Sequence, residues 1–421
     1  MRRKRRVIAA LIAGTAVAGP AVLATPVGAA TTQTITFVAA QYSGLTQPYW
    51  QGLVKSFEAK NPDYKVNLEV VSWNDIGQKV DTLVANKQYP DILNDDNFSG
   101  YASEGLLYKA QQIVSPAVYK DFLPSFEKQN VVNGVPYALP FIASARAFFY
   151  NKTIFAKVGI KAPPRTWAQL LSDAQAIKKK GFIAYGLPLG SEDAEGEWTI
   201  WMLSNGGGWE SSPGHWTINS PQNIQAMSFL NNLANKYQVT EANPGDTDRT
   251  SGVWTLFTEG KIAMMDNGSP GTLVGMIDST KPEVDYGVAA EPTRLASQKQ
   301  QTLAVQDNLM AFKTSPAHLA ADQAFLDYFY QPNNYKTFLL REGFLPTTVS
   351  GEQALGSNPE YGPFMKLLAG ASFYPETDPG WTAVLADAQS GLGLGVEPGH
   401  SPSSVLGQLQ QQAVLATRRA S

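Results

Sequence analysis

The apolar positions of this chain change period repeatedly, and those changes divide it into strands and helices. From Thr34 to Ala40 the run TITFVAA is short and apolar, which predicts a buried strand. Trp50, Leu53, Val54 and Phe57 then recur at helical spacing until Asn61-Pro62 stops them. Lys65 to Val71 alternates, with Val66, Leu68 and Val70 on one face, and Ile76, Val80, Leu83 and Val84 form the next helical stripe. Pro90 to Leu93 predicts a third strand. Strand, helix, strand, helix, strand is the order of an open α/β sheet, where ligands collect at the carboxyl ends of the strands.

The middle of the chain is punctuated more sharply. Asn133-Gly134 favours a tight turn, because both residues tolerate positive φ. Ala147-Phe148-Phe149-Tyr150 is short and aromatic enough for a buried strand, and Pro163-Pro164 forces an extended connector. Thr166-Trp167-Ala168-Gln169 is a capping-box pattern at a helix start. Ile183 to Leu189 predicts another strand. Ser191 to Glu197 reads as an acidic, flexible lead into a helix containing Trp198, Trp201 and Met202. Strands follow at Ile262 to Met265 and Leu303 to Phe312, and a Gln-rich amphipathic helix at Pro402 to Ala416 closes the chain.

Two blocks carry a family resemblance. Gly134-Val135-Pro136-Tyr137 with Pro140, then Tyr150-Asn151-Lys152, Gly159-Ile160, Pro163-Pro164 and Thr166-Trp167 form the first. Phe257, Glu259-Gly260-Lys261, Ile262 to Met265 and Gly268 form the second. Together they resemble the extracellular solute-binding proteins of ABC importers, typified by maltose-binding protein. The resemblance implies an α/β, two-lobed periplasmic-binding-protein fold, each lobe an open mixed sheet flanked by helices, with the ligand cleft between them. It places the lobes at 31–145 plus 305–345 and 146–304 plus 346–421, with Gly343-Phe344-Leu345-Pro346 at the final crossing. Relatives commonly carry an aromatic platform after the glycine of the second block. Here Ser269-Pro270 follows Gly268 instead, and Trp254 is the nearby substitute.

Composition narrows the picture. Residues 1–30 read as a secretory signal peptide: Arg2 to Arg6 is basic, Val7 to Ala18 apolar, and small residues run through Ala30. That leader holds five of the 33 basic residues and none of the 36 acidic ones, so the remainder has a balance of −8. Such a surface has no pull towards nucleic acid. There is no cysteine in 421 residues, which removes disulfides, thiolate metal sites and a cysteine lipid anchor together. The expected protein is exported, periplasmic or at the cell surface, monomeric, and free of metal and cofactor.

Candidate ligand contacts fall at strand ends and in aromatic turns. Gln41 and Tyr42 follow the first strand, Trp73, Asn74 and Asp75 the second, and Asp95 and Asp96 the third. Asn74 or Asp75 serves equally well as a helix cap. Adjacent carboxylates repel and one cap uses only one of them, so Asp95 and Asp96 point more strongly to a ligand; their spacing is not that of a calcium loop. In the resembled family this loop hydrogen-bonds sugar hydroxyls, and sugar-stacking aromatics stand where this chain has Trp381. Glu195, Glu197, Trp198 and Asn267 complete the second-lobe set, with Ser144 and Arg146 at the crossing. Arg146 suits a hydroxyl pair, a ligand carboxylate or a structural ion pair. Aromatic faces beside carboxylates and amides suit a sugar ring, whose faces are C–H and whose edge is hydroxyl. The resemblance thus implies capture of a sugar or oligosaccharide and its delivery to an ABC permease. The alternative is a secreted carbohydrate hydrolase with Asp96 and Glu197 as its paired carboxylates. His215, His318 and His400 are widely spaced and match no HExxH pattern.

Overall fold

The computed structural model describes residues 32–358, 360–368 and 370–420; the leader expected at 1–30 lies outside them. The strands, in order, are β1 (Gln33–Gln41), β2 (Tyr64–Ser72), β3 (Ile92–Asp95), β4 (Val131–Val132), β5 (Val135–Pro136), β6 (Leu139–Ala145), β7 (Ala147–Asn151), β8 (Ile183–Gly186), β9 (Ile262–Gly268), β10 (Tyr286–Ala289) and β11 (Ala304–Ala311). They form a five-stranded sheet of order β2-β1-β3-β11-β6, a four-stranded sheet of order β10-β7-β9-β8, and the small β4-β5 hairpin at Asn133-Gly134. In the first sheet β1, β2 and β3 run parallel while β11 runs antiparallel to both neighbours. The parallel strands therefore end at the edge where β11 begins. The second sheet is mixed in the same way, with β9 antiparallel to β7 and parallel to β8.

Each sheet is buried by helices whose apolar stripes the sequence pattern locates. Helix Thr46–Lys60 presses Trp50, Leu53 and Phe57 onto the first sheet, and Trp50 meets Phe37 edge-on at 4.8 Å. Helix Trp167–Lys178 does the same for the second with Trp167, Leu170, Ala174 and Ile177. At its start Thr166 accepts from the Gln169 amide, while the Gln169 side chain reaches one residue further back, to the Arg165 amide at 2.8 Å. β8 stops at Gly186, short of the predicted Leu189. There the Leu187 amide turns to the Glu241 carboxylate and the Leu189 amide to the Pro244 carbonyl.

Only Arg146 separates β6 from β7, so the chain passes between the sheets in one residue. Its amide donates to the Leu303 carbonyl, and Thr302 Oγ1 donates to its carbonyl at 2.7 Å. Ser372 binds the same pair of segments: its amide donates to Thr302 and its carbonyl accepts from Ala304. Three segments thus lie side by side between the sheets. The expected final crossing at Gly343–Pro346 is still bound to the first sheet, because Leu345 and Ala143 exchange both backbone hydrogen bonds. The sheets' layers also touch at Gly271, where a Cβ would stand 2.2 Å from the Glu342 carbonyl oxygen, too close for any side chain.

Candidate binding cleft

Between the sheets lies a cleft of about 1090 Å³. Tyr42, Trp73 and Asp96 reach it from the ends of β1, β2 and β3, Ser144 from the end of β6, and Val305 and Asp307 from the start of β11. The second sheet contributes Glu192, Asp193 and Glu195 after β8 and Ser269 after β9, and Arg146 sits where the chain crosses. Arg249, Trp254, Tyr374 and Gln389 are among the other lining residues.

Asp193 is the hub of the second wall. Arg249 forms an ion pair with it, Arg146 approaches its Oδ2 to 3.9 Å, and Asn267 Nδ2 donates to the same oxygen at 2.7 Å. Asn267 holds φ at +58°, a conformation asparagine tolerates, and this turns its amide towards Asp193. Gly196 leaves the room: a Cβ there would stand 2.7 Å from Asp193 Oδ2. Arg249 also pairs with Glu192 at 3.4 Å, and Glu192 accepts from the Thr250 amide. Burial works against the Arg249 charge, but Asp193 and Glu192 outweigh it and hold its pKa up, whereas burial wins at Arg146 and lowers its pKa. The Arg249 guanidinium lies 4.7 Å from the centre of the Trp254 ring.

On the first wall Tyr42 donates to Asp307 Oδ2 at 2.6 Å. Burial, then the neighbouring Asp96 charge, pushes the Asp307 carboxyl up to about 7. Tyr42 stands edge-on to Trp73 at 5.7 Å and to Phe344 at 4.9 Å, an aromatic cluster at the mouth of a polar site. Trp73 is 38% exposed.

Several polar atoms across the cleft from Tyr42 and Asp307 have no partner. Among the described residues, Arg146 Nε, Arg249 Nε, Glu195 Oε2, Tyr374 Oη and Trp254 Nε1 are buried without a hydrogen bond, and all five belong to residues lining the cleft. Such a group costs about 1–3 kcal/mol when left unmet, so each is a donor or acceptor in want of a ligand or water. Burial, followed by Asp193, raises the Glu195 pKa; burial, followed by Glu195, raises that of Tyr374.

The structure gathers Tyr42, Trp73, Asp96, Ser144, Arg146 and Glu195 of the sequence candidates into one cleft. The others it places elsewhere, three of them for reasons of phase. Glu195 and Glu197 are two apart on helix Ala194–Ser204 and so face nearly opposite ways. Glu197 turns inward and accepts from Trp201 Nε1 at 2.9 Å and Tyr185 Oη at 3.2 Å. The segment before it, expected to be flexible, is instead fixed by the Glu192 and Asp193 pairings. Asp95 likewise alternates with Asp96 and accepts from the amides of residues 96 and 97. Gln41 alternates with Tyr42 and lines a separate, shallow groove beside β2. Trp198 is fully buried. Trp381 is 2% exposed, flanked by Trp209 at 5.2 Å and by Tyr374, stacked at 5.3 Å. It backs the tyrosine that lines the cleft. Asn267 acts through Asp193, as described.

Asp193, Arg249, Asp307, Tyr374 and Gln389 were not singled out by sequence. An acid inside the apolar run of β11 was the available signal for Asp307; the others sit in segments with no distinguishing pattern. No group of three or more His, Cys, Asp or Glu among the described residues is arranged to hold a metal ion.

Two α/β bodies joined by adjacent crossings, with a deep polar and aromatic cleft between, define a two-lobed binding protein. Residues 43–336 match the model of the bacterial extracellular solute-binding protein family, and the chain belongs to that family. A Brucella abortus (strain 2308) protein, BAB2_0491, whose name gives it no ligand, is 31% identical over 354 residues, 82% of this chain and 84% of that one. Maltose-bound T. maritima MalE3 superimposes with a TM-score of 0.79 at 19% identity, covering 90% of this chain and 98% of the other. The ABC substrate-binding protein Lmo0181 from Listeria monocytogenes, in complex with cycloalternan, gives 0.75 at 21%, covering 90% and 97%.

Proposed function

We propose that this protein captures a sugar or oligosaccharide outside the cytoplasmic membrane and delivers it to the permease of an ABC importer. The observation that carries this reading is the set of unpartnered donors and acceptors lining one cleft beside Trp73, Tyr42 and Trp254. Rings cover the C–H faces of a sugar and polar edges fix its hydroxyls. Micromolar capture needs about 8 kcal/mol, within reach of a few stacked rings and charge-assisted hydrogen bonds. The maltose and cycloalternan named for the two structural neighbours support the same class.

On this reading the protein works as a monomer, its lobes close like a hinge, and the permease meets a different shape when the cleft is filled. The three hydrogen-bonded segments at Arg146, Thr302–Ala304 and Ser372 are the hinge. The hydrolase alternative loses its named pair, since Asp96 lines the cleft while Glu197 is bound to Tyr185 and Trp201 in the second lobe's core. Thermal shift and tryptophan fluorescence over a panel of mono- and oligosaccharides test the proposal. A saturable response with the glycan recovered intact supports it; cleavage, or no response to any sugar, overturns it.

A further inference from the structure

The charges of the cleft do not balance. Asp96, Glu192, Asp193, Glu195, Asp248 and Asp307 line it, against Arg146 and Arg249. Both arginines are turned towards Asp193, and Arg249 also takes Glu192. On the first wall no Lys, Arg or His of the described residues forms an ion pair with Asp96 or Asp307, nor with the buried Asp95 and Glu376, whose charges add to theirs. Arg146 lends Asp307 some countercharge, but burial still dominates there. Close carboxylates with no countercharge take up protons or wait for a cation.

Two independent features say that the cation comes on a ligand. Glu195 is 5% exposed, lines the opposite wall, and leaves Oε2 without a partner. Tyr42, Trp73 and Phe344 line the cleft together with the two first-wall carboxylates, and aromatic faces attract an ammonium group as well as a sugar ring. A phosphate or carboxylate on the sugar meets net repulsion here, because six carboxylates line the cleft against two guanidinium groups whose charge already faces Asp193.

Resting on the sugar-binding reading above, we propose that the preferred sugar bears a basic amine, whose ammonium group is held by Asp96 and Asp307 while the pyranose lies against Trp73. The two carboxylates supply the countercharge, and Tyr42 fixes Asp307 by the 2.6 Å hydrogen bond. The remaining hydroxyls fall to Glu195, Tyr374 and the arginines across the cleft.

Isothermal titration at about pH 7.5, above the Asp307 value of about 7, tests this with α-1,4 and β-1,4 disaccharides, each as the parent sugar and as its 2-amino-2-deoxy derivative. At least tenfold tighter binding of the amine in one pair, shrinking with added salt, is the expected result. The amine-to-parent ratio drops at least fivefold in Asp307→Asn and in Asp96→Asn. The second variant covers misfolding of the first, since Asp96 is the less buried. Parents that bind as well as or better than their amines overturn the amine inference and leave the sugar-binding reading standing. Failure of both forms, together with every sugar of the wider panel, overturns both.

Discussion

Replacing Tyr374 with Phe isolates one hydroxyl of the cleft. The ring of Tyr374 stacks on Trp381 at 5.3 Å and is 7% exposed, so Phe keeps the packing and leaves no cavity. Tyr374 Oη has no hydrogen-bond partner. A buried hydroxyl left unmet costs about 1–3 kcal/mol, so the ligand-free variant is expected to equal the parent or exceed it by roughly 1 kcal/mol. With ligand bound the sign reverses. The parent gains a hydrogen bond worth about 1–2 kcal/mol that Phe lacks, which corresponds to about 5- to 30-fold weaker binding. Urea denaturation without ligand gives the first quantity, and titration calorimetry with the best sugar gives the second. A variant destabilised by more than about 1 kcal/mol without ligand would mean that the hydroxyl has a structural partner. Unchanged affinity would mean that it never meets the ligand. Either result refutes the reasoning from unpartnered atoms.

Other substitutions and pH separate cleft from core. Trp381→Ala empties a site between Trp209 and Tyr374 and should cost about 4 kcal/mol in chemical denaturation, whereas Trp73→Ala, at a 38% exposed ring, should cost under about 1 kcal/mol yet weaken sugar binding. Arg249→Met leaves Asp193 and Glu192 short of their main cation and should destabilise by about 3 kcal/mol, read by the same melts. Burial pushes Asp266 up to about 6, Glu241 to about 7 and Asp322, with help from Asp91, to about 8. Since these raised values mean the folded state holds its protons more tightly, stability should fall as pH rises from about 4 to about 8. Melting temperature should therefore be higher at pH 5.5 than at pH 8.0, and Asp322→Asn should flatten that slope.

The fold was legible where apolar period and punctuation agree. The apolar run of β1, the alternation of β2, and stop signals such as Asn61-Pro62 state their own structure. The three strand ends that reach the cleft could be read for the same reason, and with them Tyr42, Trp73 and Asp96. Which neighbour of each pair faces the ligand was not legible, because helix and strand phase decides it. Glu195 lines the cleft while Glu197 is held by Tyr185, and Asp96 lines it while Asp95 binds backbone amides. Trp381 looked like a platform but packs behind one, and Tyr374, the ring it supports, lies in an irregular segment with no periodic signal. The Asp193–Arg249 pair joins residues 56 apart, a contact that only the folded chain reveals.

A crystal structure grown with the tightest-binding sugar of the panel tests capture without reaction most directly. It is expected to show an intact glycan spanning the cleft, touching Asp96 or Asp307 on one wall and Glu195 or Tyr374 on the other, with Trp73 against a ring. A sugar bound outside the cleft, held by one wall alone, or present as cleaved product would contradict it.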